Sequence, residues 1–187
     1  MAQELYSASP AAKRVLDEAE ATLPGLLALM WEGPAEELQL TANQQPALVA
    51  AGAAAYAAYR EAGGAEVRFA AGHSLGEYTA LVAAGCLSVS AAVRLVRKRG
   101  AYMQAAVAPG AGAMAAVLKL EESTIREVLA DLGPHEVVAV ANLNAPGQTV
   151  VSGSAAGVER AAAVLKERGA RVIPLKVSAP FHSPLMQ

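Results

Sequence analysis

The residues with the clearest potential for chemistry lie in the stretch GHSLGEYTAL, which begins at Gly72. Ser74 stands between Gly72 and Gly76 in a G-x-S-x-G frame, where an apolar run passes into a helix-forming run. Such glycines permit a sharp strand-to-helix turn that exposes the serine hydroxyl as a nucleophile. The amide of Leu75, at the positive end of the following helix, could then donate to an oxyanion. The alternative is an ordinary tight turn in which the serine has no chemical role.

A nucleophilic serine needs a base, and the chain has three histidines. His73 adjoins Ser74, and neighbouring side chains around a sharp turn project in different directions. His135 lies between a predicted helix and a predicted strand, which favours an exposed loop histidine. His182 stands between two prolines, on a stretch that they keep rigid and non-helical. We therefore expect Ser74 to act with His182.

The sequence offers no obvious acid to orient this histidine. Apart from Glu77, every acidic residue between Ser74 and His182 falls in the second group of predicted elements described below, mostly on solvated helix faces. The pattern therefore favours a Ser–His dyad over a triad, with the imidazole oriented by a backbone carbonyl or an amide side chain.

Arg99 is a third candidate, in the segment RLVRKRG that forms the one local concentration of positive charge. A guanidinium can hold a carboxylate through two parallel hydrogen bonds, which would suit a dicarboxylic acyl group. From its spacing alone, however, Arg99 is better explained as one of four cations on a solvated helix face.

The composition excludes several classes of protein. The 187 residues are 54% hydrophobic and 17% charged, which is typical of a globular chain. No apolar run approaches the ~20 residues of a bilayer span, and the N-terminus does not resemble a secretion signal. The single Cys86 excludes an internal disulfide and a cysteine-rich metal site. A net charge of −2 without a basic aromatic patch argues against nucleic acid. We expect a cytoplasmic protein without metal or cofactor.

The order of predicted elements indicates an α/β fold with two lobes. Helices are predicted over residues 9–23, 44–64, 75–85 and 90–107, the last capped by Ser90, and a strand over residues 66–72. After the turn at 108–112 the order is β-α-β-β-α-β, the ferredoxin-like arrangement. We assign residues 1–109 and 178–187 to a partial large α/β lobe. Residues 110–177 would form the small lobe inserted into it.

Four segments together resemble the malonyl-CoA:acyl-carrier-protein transacylase family, the acyltransferases of fatty-acid and polyketide synthesis. They are GHSLGEYTAL, RLVRKRGAYMQ, NLNAPGQTVVSG and VSAPFHSPLM. The resemblance covers nearly the whole chain. It implies a hydrolase-like α/β lobe with an inserted ferredoxin-like lobe, in agreement with the order of elements.

The resemblance also implies the roles of the site residues. Ser74 would be the acylated nucleophile, His182 its base, Arg99 the ligand of the malonyl carboxylate and Leu75 an oxyanion donor. The malonyl group would pass from malonyl-CoA to the phosphopantetheine thiol of holo acyl carrier protein, through a malonyl-serine intermediate. Phe181 resembles the pattern of malonyl-selecting members.

Two features of the family are not matched in this sequence. They are an N-terminal G-Q-G-S-Q loop with a second oxyanion amide, and a region after the histidine with an orienting glutamine. The resemblance therefore implies an enzyme truncated at both ends. Two other functions stay open, a serine hydrolase or thioesterase and a catalytically incompetent fragment. The start at Met1 favours a free-standing parent enzyme.

The cations beside Arg99 also have two explanations. Arg94, Arg97 and Lys98 could meet an acidic carrier protein or the phosphates of CoA, or they could form an ordinary solvated face.

Overall fold

The structure of the protein, a computed structural model, describes residues 1–108, 110–133, 136–175, 177 and 179–187. It divides into two compact units, Met1–Tyr102 and Met103–Gln187. The predicted lobe boundaries fall at Pro109 and Ser178, which lie outside the described residues, as does His135. The predicted lobe boundaries therefore stay a prediction.

The first unit is built of helices, and all of its residues are described. They are α1 (Gln3–Ala8), α2 (Pro10–Thr22), α3 (Leu26–Glu32), α4 (Ala35–Gln39), α5 (Thr41–Glu61), α6 (Gly76–Ala83) and α7 (Val89–Ala105). The last residues of α7 belong to the second unit. The four long helices predicted from the sequence are confirmed, with ends that differ by a few residues.

The core of the first unit lies where α2 packs against α5. Ala12 and Ala19 of α2 and Ala50 and Ala54 of α5 are all buried in one cluster, together with Leu16. Because an alanine side chain is a single methyl group, helices that face each other with alanine can approach closely. The high alanine content therefore gives a dense helical core.

The predicted strand over residues 66–72 is wrong. This segment is irregular backbone that runs directly into the serine turn, and Phe69 within it is 89% exposed. A strand needs a neighbour that completes its backbone hydrogen bonds, and no residue of the first unit forms a strand. The alternating sequence fits a strand, but without a pairing partner it does not become one.

Serine side chains cap two of these helices. Ser9 Oγ accepts a hydrogen bond from the Ala12 amide at 3.0 Å and caps α2. The cap of α7 is Ser88, whose Oγ accepts from the Ala91 amide at 3.1 Å. The prediction of Ser90 as this cap is wrong because α7 already begins at Val89.

The second unit confirms the predicted β-α-β-β-α-β order. Its elements are β1 (Gly112–Leu118), α8 (Glu122–Asp131), β2 (Val138–Ala145), β3 (Gln148–Ser154), α9 (Ala155–Glu167) and β4 (Arg171–Pro174), followed by a 3₁₀ turn (Pro184–Met186). The strands form one antiparallel sheet in the order β2-β3-β1-β4. With its two helices, this sheet has the ferredoxin-like arrangement expected from the sequence.

The core of the second unit lies between one face of this sheet and its helices. Ile125 of α8 and Leu165 of α9 are fully buried against Val117 of β1 and Val151 of β3. These four side chains are β-branched or leucine, which fill a helix-on-sheet core efficiently. Pro180 of the segment 179–187 packs against this sheet at Gly112, the first residue of β1.

Candidate active site

Ser74 lies in a strained turn immediately before α6. Its φ is +53°, a left-handed conformation that a residue with a Cβ adopts only at a cost of about 1–3 kcal/mol. The turn is closed by the Gly76 amide, which donates to the His73 carbonyl at 2.9 Å. The sequence predicted a sharp turn at the serine, and the structure shows one, although the residues before it do not form a strand.

The two glycines of the G-x-S-x-G frame differ in how much space surrounds them. A Cβ on Gly72 would lie 1.8 Å from the carbonyl carbon of Gly76, whereas a Cβ on Gly76 would meet nothing within 4 Å. Only Gly72 is therefore required by close approach of the backbone. This contact brings the start of the turn against the first residue of α6 and leaves no room for a side chain there.

Leu75 occupies the N-cap position of α6, next to the serine. Its amide has no acceptor within the helix, because the first N–H groups of a helix have none. The positive end of the helix dipole adds to the effect of this donor on a nearby negative charge. The position fits an oxyanion donor beside Ser74.

Arg99 reaches the serine from α7. Its Nη2 donates to Ser74 Oγ at 3.1 Å, and its Nη1 donates to Gln45 Oε1 at 2.6 Å. The ring of Tyr78 lies 6.0 Å from the guanidinium carbon. Arg99 is thus partly buried and turned inward, and the explanation of it as a cation on a solvated face is wrong.

Gln45 is a site residue that the sequence did not single out. It is buried, and its Nε2 donates to Thr41 Oγ1 at 2.8 Å while its Oε1 accepts from Arg99. The close approach of α5 and α7 makes this contact possible, since a Cβ on Gly100 would lie 2.6 Å from Ala42 Cα. A glutamine in an alanine-rich helix reveals its burial only when the neighbouring helix is known.

The remaining cations of α7 separate into two groups. Arg97 donates to the Ala42 carbonyl at 2.9 Å and also to Asn43 Oδ1, so it binds the start of α5. Arg94 and Lys98 are exposed and lie on the outer side of the helix. One segment of sequence therefore supplies two inward-facing and two outward-facing positive charges.

His182 lies in the second unit, on a turn fixed by its own neighbours. Its φ is +59° and its imidazole is exposed. Pro180 is buried against the start of β1, where a Cβ on Gly112 would lie 2.3 Å from the proline Cγ. Ser183 Oγ donates to the Pro180 carbonyl at 2.8 Å. Packing of the Pro180 ring and a side-chain hydrogen bond therefore hold this turn, while the stiffness expected from the two prolines stays a prediction.

The structure brings together some of the predicted site residues and not all of them. Ser74, Leu75 and Arg99 form one group in the first unit. His182 belongs to the second unit, so its pairing with Ser74 stays a prediction. His73 is exposed beside the serine.

Within the described part of the chain, no three His, Cys, Asp or Glu side chains are grouped as a metal ion requires. Among the helices described, none has both the length and the apolar character needed to cross a bilayer.

Comparison with known proteins gives a consistent result over the whole chain. The family model of the acyl transferase domain matches residues 1–187. A malonyl CoA-acyl carrier protein transacylase of Bacillus subtilis (strain 168) is 52% identical over 190 residues, which cover 100% of this chain and 60% of the relative. The chain therefore spans about 60% of the length of such relatives.

Solved structures agree with the sequence relatives. An acyl-carrier-protein S-malonyltransferase from Burkholderia pseudomallei 1710b has a TM-score of 0.93 and 47% identity, over 98% of this chain and 60% of that one. A malonyl-transacylase solved in complex with a type II polyketide acyl-carrier protein has a TM-score of 0.95 and 42% identity, over 100% of this chain and 61% of that one. The mixed α/β fold with a small antiparallel sheet thus matches about 60% of the length of these malonyltransferase structures.

Proposed function

Because the chain belongs to the family of acyl transferase domains, we propose that it transfers a malonyl group from malonyl-CoA to the phosphopantetheine thiol of acyl carrier protein, in fatty-acid biosynthesis. The observation that carries this proposal is the hydrogen bond from Arg99 to Ser74 Oγ. It places a positive charge beside the oxygen that would carry the acyl group. A hydrolase of neutral esters has no use for a cation at this point.

The first half of the reaction acylates the serine. His182 accepts the proton of the Ser74 hydroxyl while Oγ bonds to the thioester carbon. The Leu75 amide donates to the oxyanion of the tetrahedral intermediate. The carbon–sulfur bond then breaks, and the CoA sulfur leaves as a thiol with the proton from His182. The product is a malonyl ester of Ser74.

The second half returns the enzyme to its starting state. The thiol of the carrier protein gives its proton to His182 and attacks the ester carbon. The bond from Ser74 Oγ to the malonyl group breaks, and Oγ regains the proton. Transfer to a thiol in place of water depends on which acceptor reaches the ester first.

Arg99 would select the acyl group. In malonyl-serine, only a carbonyl and a methylene group separate the free carboxylate from Oγ, so a guanidinium that contacts Oγ can reach this carboxylate. Two parallel hydrogen bonds to the carboxylate would replace the bond to Oγ. Gln45 holds the other side of the guanidinium and would keep it aimed at the acyl group.

The cytoplasmic location stays a prediction.

The experiment that tests this proposal is intact mass spectrometry after the chain is mixed with malonyl-CoA. We expect a malonyl adduct that is absent in Ser74→Ala and is discharged by holo carrier protein. Discharge by water alone at the same rate would identify a hydrolase or thioesterase. A folded chain that forms no adduct would be a catalytically incompetent fragment.

A further inference from the structure

The outer side of α7 carries a stripe of positive and apolar side chains. We use the name α7 stripe for Arg94, Leu95, Lys98 and Tyr102. Because successive helix residues are rotated by about 100°, residues at positions i, i+1, i+4 and i+8 share one side of the helix. Leu95 is 46% exposed and Tyr102 72% exposed, and both cations are exposed.

The charge of this stripe is not balanced locally. The sequence of α7 contains no acidic residue. Arg97 and Arg99 of the same helix donate inward, to α5 and to the site. Within the described part of the chain, neither Arg94 nor Lys98 forms an ion pair. The stripe therefore offers two unneutralised cations around large apolar side chains, in a chain whose net charge is −2.

We propose that the α7 stripe is a docking surface for the carrier protein and that carboxylates of the carrier contact its two cations. Exposed cations flanking a tyrosine and a leucine match a partner that presents carboxylates around an apolar side chain. The stripe spans about 12 Å of helix, and Lys98 directly precedes Arg99 in the chain. A carrier bound here would thus contact the outer side of the helix whose inward-facing Arg99 donates to Ser74. This inference rests on the proposed function, which supplies the carrier protein as substrate.

The test measures binding of the carrier protein without requiring turnover. The 187-residue chain is titrated with acyl carrier protein by calorimetry, in low salt and in high salt. We expect Arg94→Glu/Lys98→Glu to raise the Kd about tenfold or more, and Tyr102→Ala to raise it by a similar factor. The Kd of the unmodified chain should also rise with salt, because exposed charges are screened.

The matched control is Arg14→Glu/Arg68→Glu, which changes the net charge equally at two exposed positions of the same unit. It should bind the carrier as the unmodified chain does. A milder variant, Arg94→Gln/Lys98→Gln, removes the charges without adding new ones and should have an intermediate Kd. Circular dichroism checks that each variant is folded.

Three outcomes would overturn the proposal. One is a Kd for the charge reversal within twofold of the control, and another is a chain that binds no carrier protein. The third is a loss of malonyl-adduct formation in Arg94→Glu/Lys98→Glu with unchanged carrier binding, which would assign these cations to the phosphates of CoA. Failure of the proposed function gives a different result, because binding would persist while the unmodified chain forms no adduct.

Discussion

Ser74 and His182 both have positive φ, at 53° and 59°, but their turns are held in different ways. The serine is held by backbone contact between two glycines and by a polar chain that runs from Thr41 through Gln45 to Arg99. The histidine is held by packing of a buried proline on the sheet and by one serine hydroxyl. The serine turn thus depends on a close backbone contact together with charge and hydrogen bonding, and the histidine turn mainly on packing.

The largest effect is expected from Gly72→Ala, which attacks the backbone contact of the serine turn. The new Cβ would lie 1.8 Å from a backbone carbon that cannot move aside without reshaping the turn. We expect loss of malonyl-adduct formation and a loss of about 1–3 kcal/mol in the free energy of unfolding, measured with urea.

The frame supplies its own control for this variant. In Gly76→Ala the Cβ meets nothing within 4 Å, and residue 76 is the first of α6. Alanine has the higher helix propensity, so the free energy of unfolding should stay the same or rise by up to about 1 kcal/mol. Equal destabilisation by both variants would contradict the different roles assigned to these glycines.

Arg99→Ala tests the charged part of the serine turn. A malonyl carboxylate would lose its partner, so we expect the rate of malonyl transfer to fall about 100-fold, in the range that removal of one strong active-site interaction costs. The rate of acetyl transfer should fall much less, because acetyl has no carboxylate. Arg99→Lys keeps the positive charge but loses the planar guanidinium. Its rate of malonyl transfer should lie between those of the unmodified chain and Arg99→Ala. An equal loss for malonyl and acetyl would refute the role of Arg99.

Much of the fold was readable from the sequence, because the pattern of small and apolar residues fixes local structure. The ferredoxin-like order followed from alternating strands and amphipathic helices, and each of these strands has a pairing partner within the second unit. The strand at 66–72 failed because no residue of the first unit forms a strand that could pair with it. Within the site, Ser74 and Leu75 were predictable from a motif. Gln45 was not, since its burial depends on the close approach of α5 and α7 at Gly100.

Gln45→Ala tests whether the polar chain behind the guanidinium matters. Arg99 would keep its charge and lose one acceptor, so we expect malonyl transfer to fall about 10-fold, with a loss of about 1 kcal/mol in unfolding free energy. The neighbouring Gln44 is exposed, and Gln44→Ala is the matched control with no expected effect. A purely structural role for Gln45 would destabilise the chain without changing the preference for malonyl over acetyl.

Gly112→Ala tests the shape-dependent fixation of the histidine turn. The new Cβ would lie 2.3 Å from Cγ of Pro180, a ring atom that can shift further than the backbone at Gly72. We therefore expect a smaller effect, a loss of about 1 kcal/mol in unfolding free energy, and a changed environment of the His182 imidazole in NMR spectra. Unchanged imidazole resonances would show that the turn does not depend on this contact.

The smallest expected effect concerns stability in acid. In the first unit, the Glu61 carboxylate should contribute stability that depends on pH. The Ser9 hydroxyl donates to Glu61 at 2.5 Å, and this bond, with help from the Ala11 amide, lowers the pKa of Glu61 below its ordinary value. A group whose pKa is lower in the folded state stabilises above its unfolded pKa. That stability disappears as the pH falls through the folded value.

The stabilising contribution of Glu61 should therefore be complete at neutral pH and decline below about pH 4.5. Urea unfolding of the chain and of Glu61→Gln should differ most near neutrality and converge in acid. Glu36→Gln removes an exposed carboxylate from α4 and serves as the control. A difference between the chain and Glu61→Gln that stays constant from neutral pH to about pH 3 would mean that the glutamate charge does not hold the start of α2. In the first unit, the dependence on charge that distinguishes the serine turn from the histidine turn would then be limited to the residues around Ser74.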